Sequence, residues 1–248
     1  MVDGQSNNIV AIIQARIGSS RLKGKVLKKL PYFSNLTILD QVVLRVKQSN
    51  YVKQVIIATS DSEKDDPIEK LCLQNEYSFF RGSENDVLNR FVRASYDLSK
   101  DDFIIRLTAD NPFIDSTLID LCIESHNKGN YDYSYTTNLP IGMNVEIVNK
   151  SVLDKLDLIT SKISDKEHVT KYLRDNTEQF SINNIDYISS KCSLRLTIDY
   201  PSDYALACLL FKDLYEKNNF FGLNEIEQYE INHPWLNHLN NTNIQKSN

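Results

Sequence analysis

The chain has 248 residues, 41% apolar and 25% charged, proportions of an ordinary folded domain that exclude a disordered, fibrous or disulfide-stapled miniature protein. Its 28 basic and 33 acidic side chains leave a net charge of −5, which argues against a general nucleic-acid binder and confines any anion site to a local cluster. No apolar run of about 18 residues could cross a membrane, and the polar start over 1–8 does not read as a secretory signal; the expected setting is the cytoplasm, without membrane or nucleic-acid partners.

Short β-branched runs alternate with longer amphipathic stretches, the pattern of an α/β protein with a largely parallel sheet flanked by helices. A strand over 9–13 leads through a polar, basic segment over 14–29 to a helix starting near Thr37, where Thr37 and Asp40 have capping-box spacing. Leu39, Val42, Val43 and Val46 recur at helical spacing, and a strand over 55–58 completes a βαβ unit. A helix over 65–76 with Pro67 in its first turn, a short strand over 78–80 and a helix over 86–98 follow. The clearest buried strand spans 103–107 and ends in Thr108-Ala109-Asp110-Asn111-Pro112. After a helix over 116–128, strands over 131–136 and 145–148 flank a polar loop with Pro140 and Gly142 and read as a small β subdomain. Helices over 150–161 and 165–176, strands over 181–185 and 194–198, and a long helix after Pro201 complete one domain over 1–240; the polar tail over 241–248 is expected to fray. The four cysteines, Cys72, Cys122, Cys192 and Cys208, lie far apart without a CxxC pair and read as free thiols.

Ligands of open α/β sheets bind outside the carboxyl ends of strands, which makes the residues just after each strand the ones that matter for chemistry. The segment from Gln14 to Leu27, after the first strand, brings Gly18 and Gly24 for close backbone approach, Ser19 and Ser20 as hydroxyl donors, and Arg16, Arg21 and Lys25 as positive charge. That suits a polyphosphate, although neither the Walker A nor the GxGxxG pattern is matched, and a solvated basic loop is the plainer alternative. Asp110 and Asp199 each follow a predicted strand and stand two positions before a proline, in ADNP and IDYP; side by side they would hold one Mg²⁺, and taken singly they would serve as helix caps. Ser83, Asp86 and Arg90 form a polar cluster at the start of a helix, suited to a ribose or base edge and equally to capping. Ser164 and Glu167 likewise have capping-box spacing beside His168, which is either a ligand contact or proton carrier or a side chain facing water; Asn144 and Glu146, in GMNVEI, are candidate acceptor contacts. Tyr96, Phe211 and Tyr215 read as core or interface rather than as a stacking platform.

With these residues in hand, the chain resembles the cytidylyltransferases that activate acidic sugars with CTP, the KDO and acylneuraminate enzymes, and most of all their SpsF-like branch. QARIGSSRLKGKVL, ATSDSEKDDPI, FRGSENDVLNRF, RLTADNPFID, GMNVEI, EHVTKYL and RLTIDYPSDY carry the likeness in that order, from Ile9 to about Leu210. The resemblance implies a Rossmann-like, GT-A-type nucleotidyltransferase fold, Mg²⁺ dependence and a homodimer. Residue by residue it implies the triphosphate on Arg16, Ser19, Ser20, Arg21 and Lys25, with Ala15 and Gly18 near the nucleotide. Ser60, Asp61, Ser83, Asp86 and Arg90 would flank the cytidine, Asp110 and Asp199 would bind the metal, and Asn144, Glu146, Glu167 and His168 would lie near the acceptor. Arg16, Lys25, Asp110 and Asp199 would carry the catalysis. Lys23 stands in place of the usual proline of RLPGK, Asn111 where this branch often has cysteine, and Asn144 in place of a usual aspartate, which leaves the acceptor's identity open. The competing readings are a GT-A glycosyltransferase, disfavoured because Asp110-Asn111-Pro112 is not DxD, and a non-catalytic nucleotide binder, disfavoured by the intact Arg16, Lys25, Asp110 and Asp199. Phe220, Phe221 and Trp235 are the residues expected at a dimer contact, unless they pack on their own core.

Overall fold

The apolar runs read as buried strands form the centre of a seven-stranded sheet in the computed structural model, which describes residues 7–187 and 192–244. The first half of the chain runs β1 (Ile9–Gln14), α1 (Ile38–Val46), β2 (Gln54–Ser60), α2 (Asp66–Gln74), β3 (Ser78–Gly82), α3 (Val87–Ala94), β4 (Phe103–Thr108) and α4 (Ser116–Gly129). The second runs β5 (Tyr133–Thr137), β6 (Glu146–Asn149), α5 (Lys150–Ile159), α6 (Ile163–His168), α7 (Lys171–Asp175), β7 (Ile182–Asp186), α8 (Pro201–Leu214) and α9 (Leu223–Asn232).

Strands β3, β2, β1 and β4 are parallel neighbours, and β6 adds to β4 antiparallel, followed by β5 and β7. The two strands expected in a small subdomain are therefore a continuation of the main sheet beyond β4. Strands β1 and β4 are apolar on both faces because helices cover both. Ala11, Ile13 and Ile105 pack with α1, α4 and α8 on one side, and Val10, Ile12 and Ile104 with α3 and α5 on the other. Helix α1 starts where expected: Thr37 Oγ1 accepts the Asp40 N–H at 3.1 Å and the Asp40 carboxylate takes the Thr37 N–H at 2.7 Å. Such a cap stabilises a helix by about 1 kcal/mol.

Two of these elements differ from expectation. The helix over 165–176 is two helices, because Val169 adopts φ 52° and ψ −61° between them and the Thr170 N–H bonds back to the His168 carbonyl at 2.5 Å. A β-branched residue in that region is strained and stays there only if its neighbours hold it. The segment over 194–198 is buried but joins no strand; Leu196 N–H donates to Ile141 O at 2.8 Å and Ile198 N–H to Asp110 O at 2.9 Å. Phe221 is fully buried against Phe113 and Phe211, which decides for the core over a dimer contact, and Tyr96, expected in the core or at an interface, is 81% exposed and so not core. Cys72 and Cys122 are buried and free, and burial pushes both thiols up to about 12, which removes them as nucleophiles at neutral pH. No helix among the described residues is long and apolar enough to cross a membrane.

Candidate active site

At the carboxyl ends of β1 and β4 lies a cleft of about 390 Å³, roofed by the basic segment after β1 and floored by the chain around Gly142 and Thr197. Gly142, at φ 104°, is required there: a Cβ on it would come within 2.5 Å of the Thr197 nitrogen. Gly24, at φ 61°, turns the basic segment into a short 3₁₀ turn, Lys25–Leu27, which carries Lys25 inward.

The Lys25 ammonium lies between two carboxylates, donating to Asp110 Oδ2 at 2.6 Å and to Asp199 Oδ1 at 2.8 Å. Thr108 Oγ1 donates to the other Asp110 oxygen at 2.6 Å, Arg195 to Asp199 Oδ2 at 2.6 Å, and Arg21 to Asp199 Oδ1 at 2.9 Å. Arg21 also reaches the Tyr200 hydroxyl at 3.3 Å and lies over that ring. Neither aspartate is a helix cap: Asp115 caps α4, and Asp203 takes the N-cap N–H of Tyr200 at the start of α8. Burial alone would favour a neutral Lys25, but Asp110's charge and the bonds to both carboxylates outweigh it and hold the ammonium above the ordinary lysine value. Burial likewise disfavours the charged form of Asp110, and Lys25 with the Thr108 bond overcomes it, leaving Asp110 below the ordinary carboxylate range. Among the described residues no three His, Cys, Asp or Glu side chains converge as a metal site. Two hard carboxylates on one cation are nonetheless the donor set suited to Mg²⁺ when substrate phosphates and water supply the remaining ligands.

The far end of the cleft is lined by Arg106, Asn144, Glu146, Glu167 and His168. Glu146 is not a free acceptor contact: Arg174 donates to it at 2.7 Å and Thr170 at 2.8 Å, with Arg106 at 3.5 Å. Burial would raise its pKa, but Arg106 and Arg174 hold it below the ordinary value. The turn at Val169 is what aims Thr170 at Glu146. His168 faces the cleft, and burial pulls its pKa down, the nearby Arg106 and Arg174 adding to this. Ser164 and Glu167 form no capping box; the N-cap of α6 is Lys162, and Glu167 instead pairs with Arg16 across the cleft mouth at 3.5 Å. Asn144 donates to the Thr136 carbonyl at 3.0 Å.

Arg16, Gly18, Ser19, Ser20, Arg21, Lys25, Asp110, Asn144, Glu146, Glu167, His168 and Asp199 thus line one cleft. Ala15, Ser60, Asp61, Ser83, Asp86 and Arg90 do not. Ala15 is buried with its N–H on Ala58 O at 3.1 Å, the buried Ser60 hydroxyl bonds to Asp65, and Asp61 donates its N–H to Gly82 O at 2.8 Å. Ser83 Oγ accepts the Asp86 N–H at 3.1 Å, while Asp86 caps α3 and pairs with Lys166 at 2.6 Å. Arg90 is fully buried and none of its three guanidinium nitrogens has a hydrogen-bond partner among the described residues. Burial, with nearby Arg16 adding to it, lowers its pKa. Arg106, Arg174, Arg195, Tyr200 and Asp203 escaped the sequence reading. Two of them had a signal: Arg106 to Asp110 and Arg195 to Asp199 both read Arg-Leu-Thr-x-Asp, and each segment delivers one of the two carboxylates.

A basic loop after β1 thus faces two carboxylates, one just past β4 and one in the loop before α8, and the chain is an enzyme of the nucleotidyltransferase class. A family model described as Cytidylyltransferase matches residues 10–232, and the chain belongs to that family. It is 41% identical over 219 residues, 85% of this chain and 88% of the relative, to the spore coat polysaccharide biosynthesis protein SpsF of Bacillus subtilis (strain 168). Among solved structures it is similar to a cytidylyltransferase from Leptospira borgpetersenii serovar Hardjo-bovis (strain JB197), with TM-score 0.85, 31% identity and 96% and 99% of the two chains covered. The fold is also that of CMP:2-keto-3-deoxy-manno-octonic acid synthetase complexed with CTP, with TM-score 0.64, 15% identity and 84% and 100% covered.

Proposed function

We propose that this enzyme transfers the cytidylyl group of CTP to a small acidic sugar or a sugar or polyol phosphate, with Mg²⁺, releasing pyrophosphate, and that its product feeds surface polysaccharide or glycan assembly. The observation that carries the reading is the Lys25 ammonium lying between Asp110 and Asp199 under the basic loop. The CTP complex of the synthetase with the same fold and the polysaccharide role in the name of the relative from B. subtilis support the nucleotide and the pathway class. A homodimer, which rests on the resemblance, and a cytoplasmic setting belong to the same reading.

An acceptor oxygen forms a bond to the α-phosphorus of CTP as the bond to the β-phosphate oxygen breaks and the electron pair leaves with pyrophosphate. Such a reaction needs alignment and stabilisation of developing negative charge more than covalent catalysis. Arg16, Arg21, Lys25 and the Ser19-Ser20 segment hold the phosphates, and Lys25, charged throughout the neutral range, neutralises the transferring group. Asp110 and Asp199 would hold Mg²⁺, which supplies Lewis-acid stabilisation of the phosphoryl oxygens. Ser60, Asp61 and Ser83, at the ends of β2 and β3, and Asp86 and Arg90, at the start of and within α3, take the nucleoside. Asn144, Glu167 and His168 meet the acceptor, with Glu146 as the buried charge that orients Arg106 and Arg174. An acceptor that is already an anion needs little base. Pyrophosphate release from each of the four common nucleoside triphosphates, against a pool of acidic sugars, sugar phosphates and polyol phosphates, tests this. Release with CTP alone is expected; cleavage of a nucleotide-sugar with none from CTP overturns it.

A further inference from the structure

The second carboxylate of the site, Asp199, lies outside any strand, in a segment with no sheet ladder of its own. Asp110, by contrast, follows directly from β4. Something else must hold Asp199 still, because a catalytic group displaced by about 1 Å costs on the order of 100-fold in rate.

The structure assigns that task to Asp203 and, through it, to the C-terminal segment around Asn240 and Asn243. The assignment rests on the reading of Asp199 as part of the catalytic site. Asp203 has a fully buried side chain, and each of its oxygens is used twice. Oδ2 accepts the backbone N–H groups of Asp199 and Tyr200, both at 2.9 Å, which fixes the chain carrying the carboxylate. Oδ1 accepts the side-chain amides of Asn240 at 2.9 Å and Asn243 at 2.7 Å. An ordinary capping box at the start of α8 requires only the bond from Tyr200. The remaining three go to the site and to a segment some forty residues further along the chain.

The second hydrogen of the Asn240 amide goes to the carbonyl of Arg195 at 2.9 Å, and Arg195 is the residue that donates to Asp199 Oδ2 at 2.6 Å. Arg195 also approaches Asp203 at 3.4 Å. Asn240 therefore touches both supports of Asp199: its backbone anchor, Asp203, and its guanidinium partner. Asn240 is 1% exposed, and the second amide hydrogen of Asn243 is tied to Ser202 Oγ at 2.9 Å, so residues 240–243 are a strap over the start of α8, which takes 241–243 out of the tail expected to fray. Asp203, Asn240 and Asn243 do not line the cleft. They are positioning residues, acting on the reaction through Asp199.

The test pairs Asn240→Ala and the milder Asn243→Ala with two measurements on the full chain. Backbone hydrogen exchange at Asp199 and Tyr200, whose N–H groups end on Asp203, reads the strap directly and needs no turnover; it is expected to quicken about tenfold in Asn240→Ala and less in Asn243→Ala, with exchange in β1 and β4 unchanged. In turnover with CTP, kcat is expected to fall about tenfold in Asn240→Ala with KM for CTP nearly unchanged, and the same substitution in an Asp199→Asn background is expected to cost nothing further. Unchanged exchange at Asp199 and Tyr200 overturns the proposal, as does an equal loss of kcat in both backgrounds, which is what a merely structural role gives. If the unaltered enzyme releases no pyrophosphate from CTP, the functional reading fails, and the exchange measurement still decides whether the strap holds Asp199.

Discussion

Replacing Arg90 with methionine should give a protein that is more stable and binds CTP less well. Arg90 lies on α3 with no exposed surface, and its three guanidinium nitrogens have no hydrogen-bond partner among the described residues. Burial is the largest influence on it and disfavours the charge; Arg16 adds to that, while Asp65, Asp61 and Glu84 oppose it without reaching bonding distance. Replacing even well-paired buried charges by apolar side chains of similar volume is neutral to stabilising by about 1–4 kcal/mol, so an unbonded one should fall within that range after the three acids are allowed for. Taking about 1–2 kcal/mol, and about 2–4 °C per kcal/mol for a chain of this size, Arg90→Met should raise Tm by roughly 2–8 °C. The proposed complex requires the residues covering Arg90 to move so that the guanidinium meets acceptor atoms of the nucleotide, and losing a charge-assisted bond of about 1.5–3 kcal/mol should raise KM for CTP roughly 10- to 100-fold. Scanning calorimetry with and without CTP reads both effects, since the nucleotide should stabilise the unaltered protein far more than the variant. A Tm that falls, together with an unchanged KM, would show that Arg90 serves the fold alone and refute the reasoning.

Three further substitutions probe the cleft. Asp110→Asn should cut turnover at least about 1,000-fold, the scale of losing a group that acts on developing charge, and should also lower Tm, because Lys25 keeps only one of its two carboxylate partners; near-normal turnover removes Asp110 from the machinery. Asp110 is held below its ordinary value and Lys25 above its own, so Asp110's contribution is lost only as pH falls through its depressed pKa, and Lys25's only as pH rises through its raised one. Across the range between, this pair gives a flat Tm. In Lys25→Met burial dominates at Asp110 and favours its protonated form, so relative to the unaltered protein Tm should drop as pH rises from about 4 to 7; parallel profiles contradict the pairing. Glu146→Gln leaves the half-buried Arg174 and Arg106 without their counter-charge and should cost about 1.5–3 kcal/mol in chemical denaturation; a loss below about 0.5 kcal/mol means the triad is not held as described.

The central parallel strands, the α1 cap and the basic loop were legible because each is encoded locally: β-branched runs for β1 and β4, a Thr-x-x-Asp box, and charge placed straight after a strand. The pairing of Asp110 with Asp199 was legible only as two matching positions after two apolar runs, and the repeated Arg-Leu-Thr-x-Asp was the stronger form of the same signal. What failed depends on tertiary contacts. The helical period runs unbroken through Val169, and the turn there is maintained by Thr170 and its bond to Glu146, which no local pattern shows. The segment over 194–198 has the apolar content of a strand but finds its backbone partners in loops, at Ile141 and Asp110. The asparagines at 240 and 243 look like solvated tail residues until Asp203 is placed opposite them. Glu146 reads as a ligand contact because the arginines that occupy it come from β4 and α7, far away in the chain.

The central claim, transfer of the α-phosphorus of CTP to an acceptor, is tested most directly by following the two ends of the nucleotide separately. With CTP labelled at the α- or the γ-phosphate, Mg²⁺ and the acceptor pool, the α-label should appear in a CMP conjugate that depends on the pool, and the γ-label in pyrophosphate. Recovery of the α-label as free CMP without a conjugate, or of the γ-label as inorganic phosphate, contradicts the account.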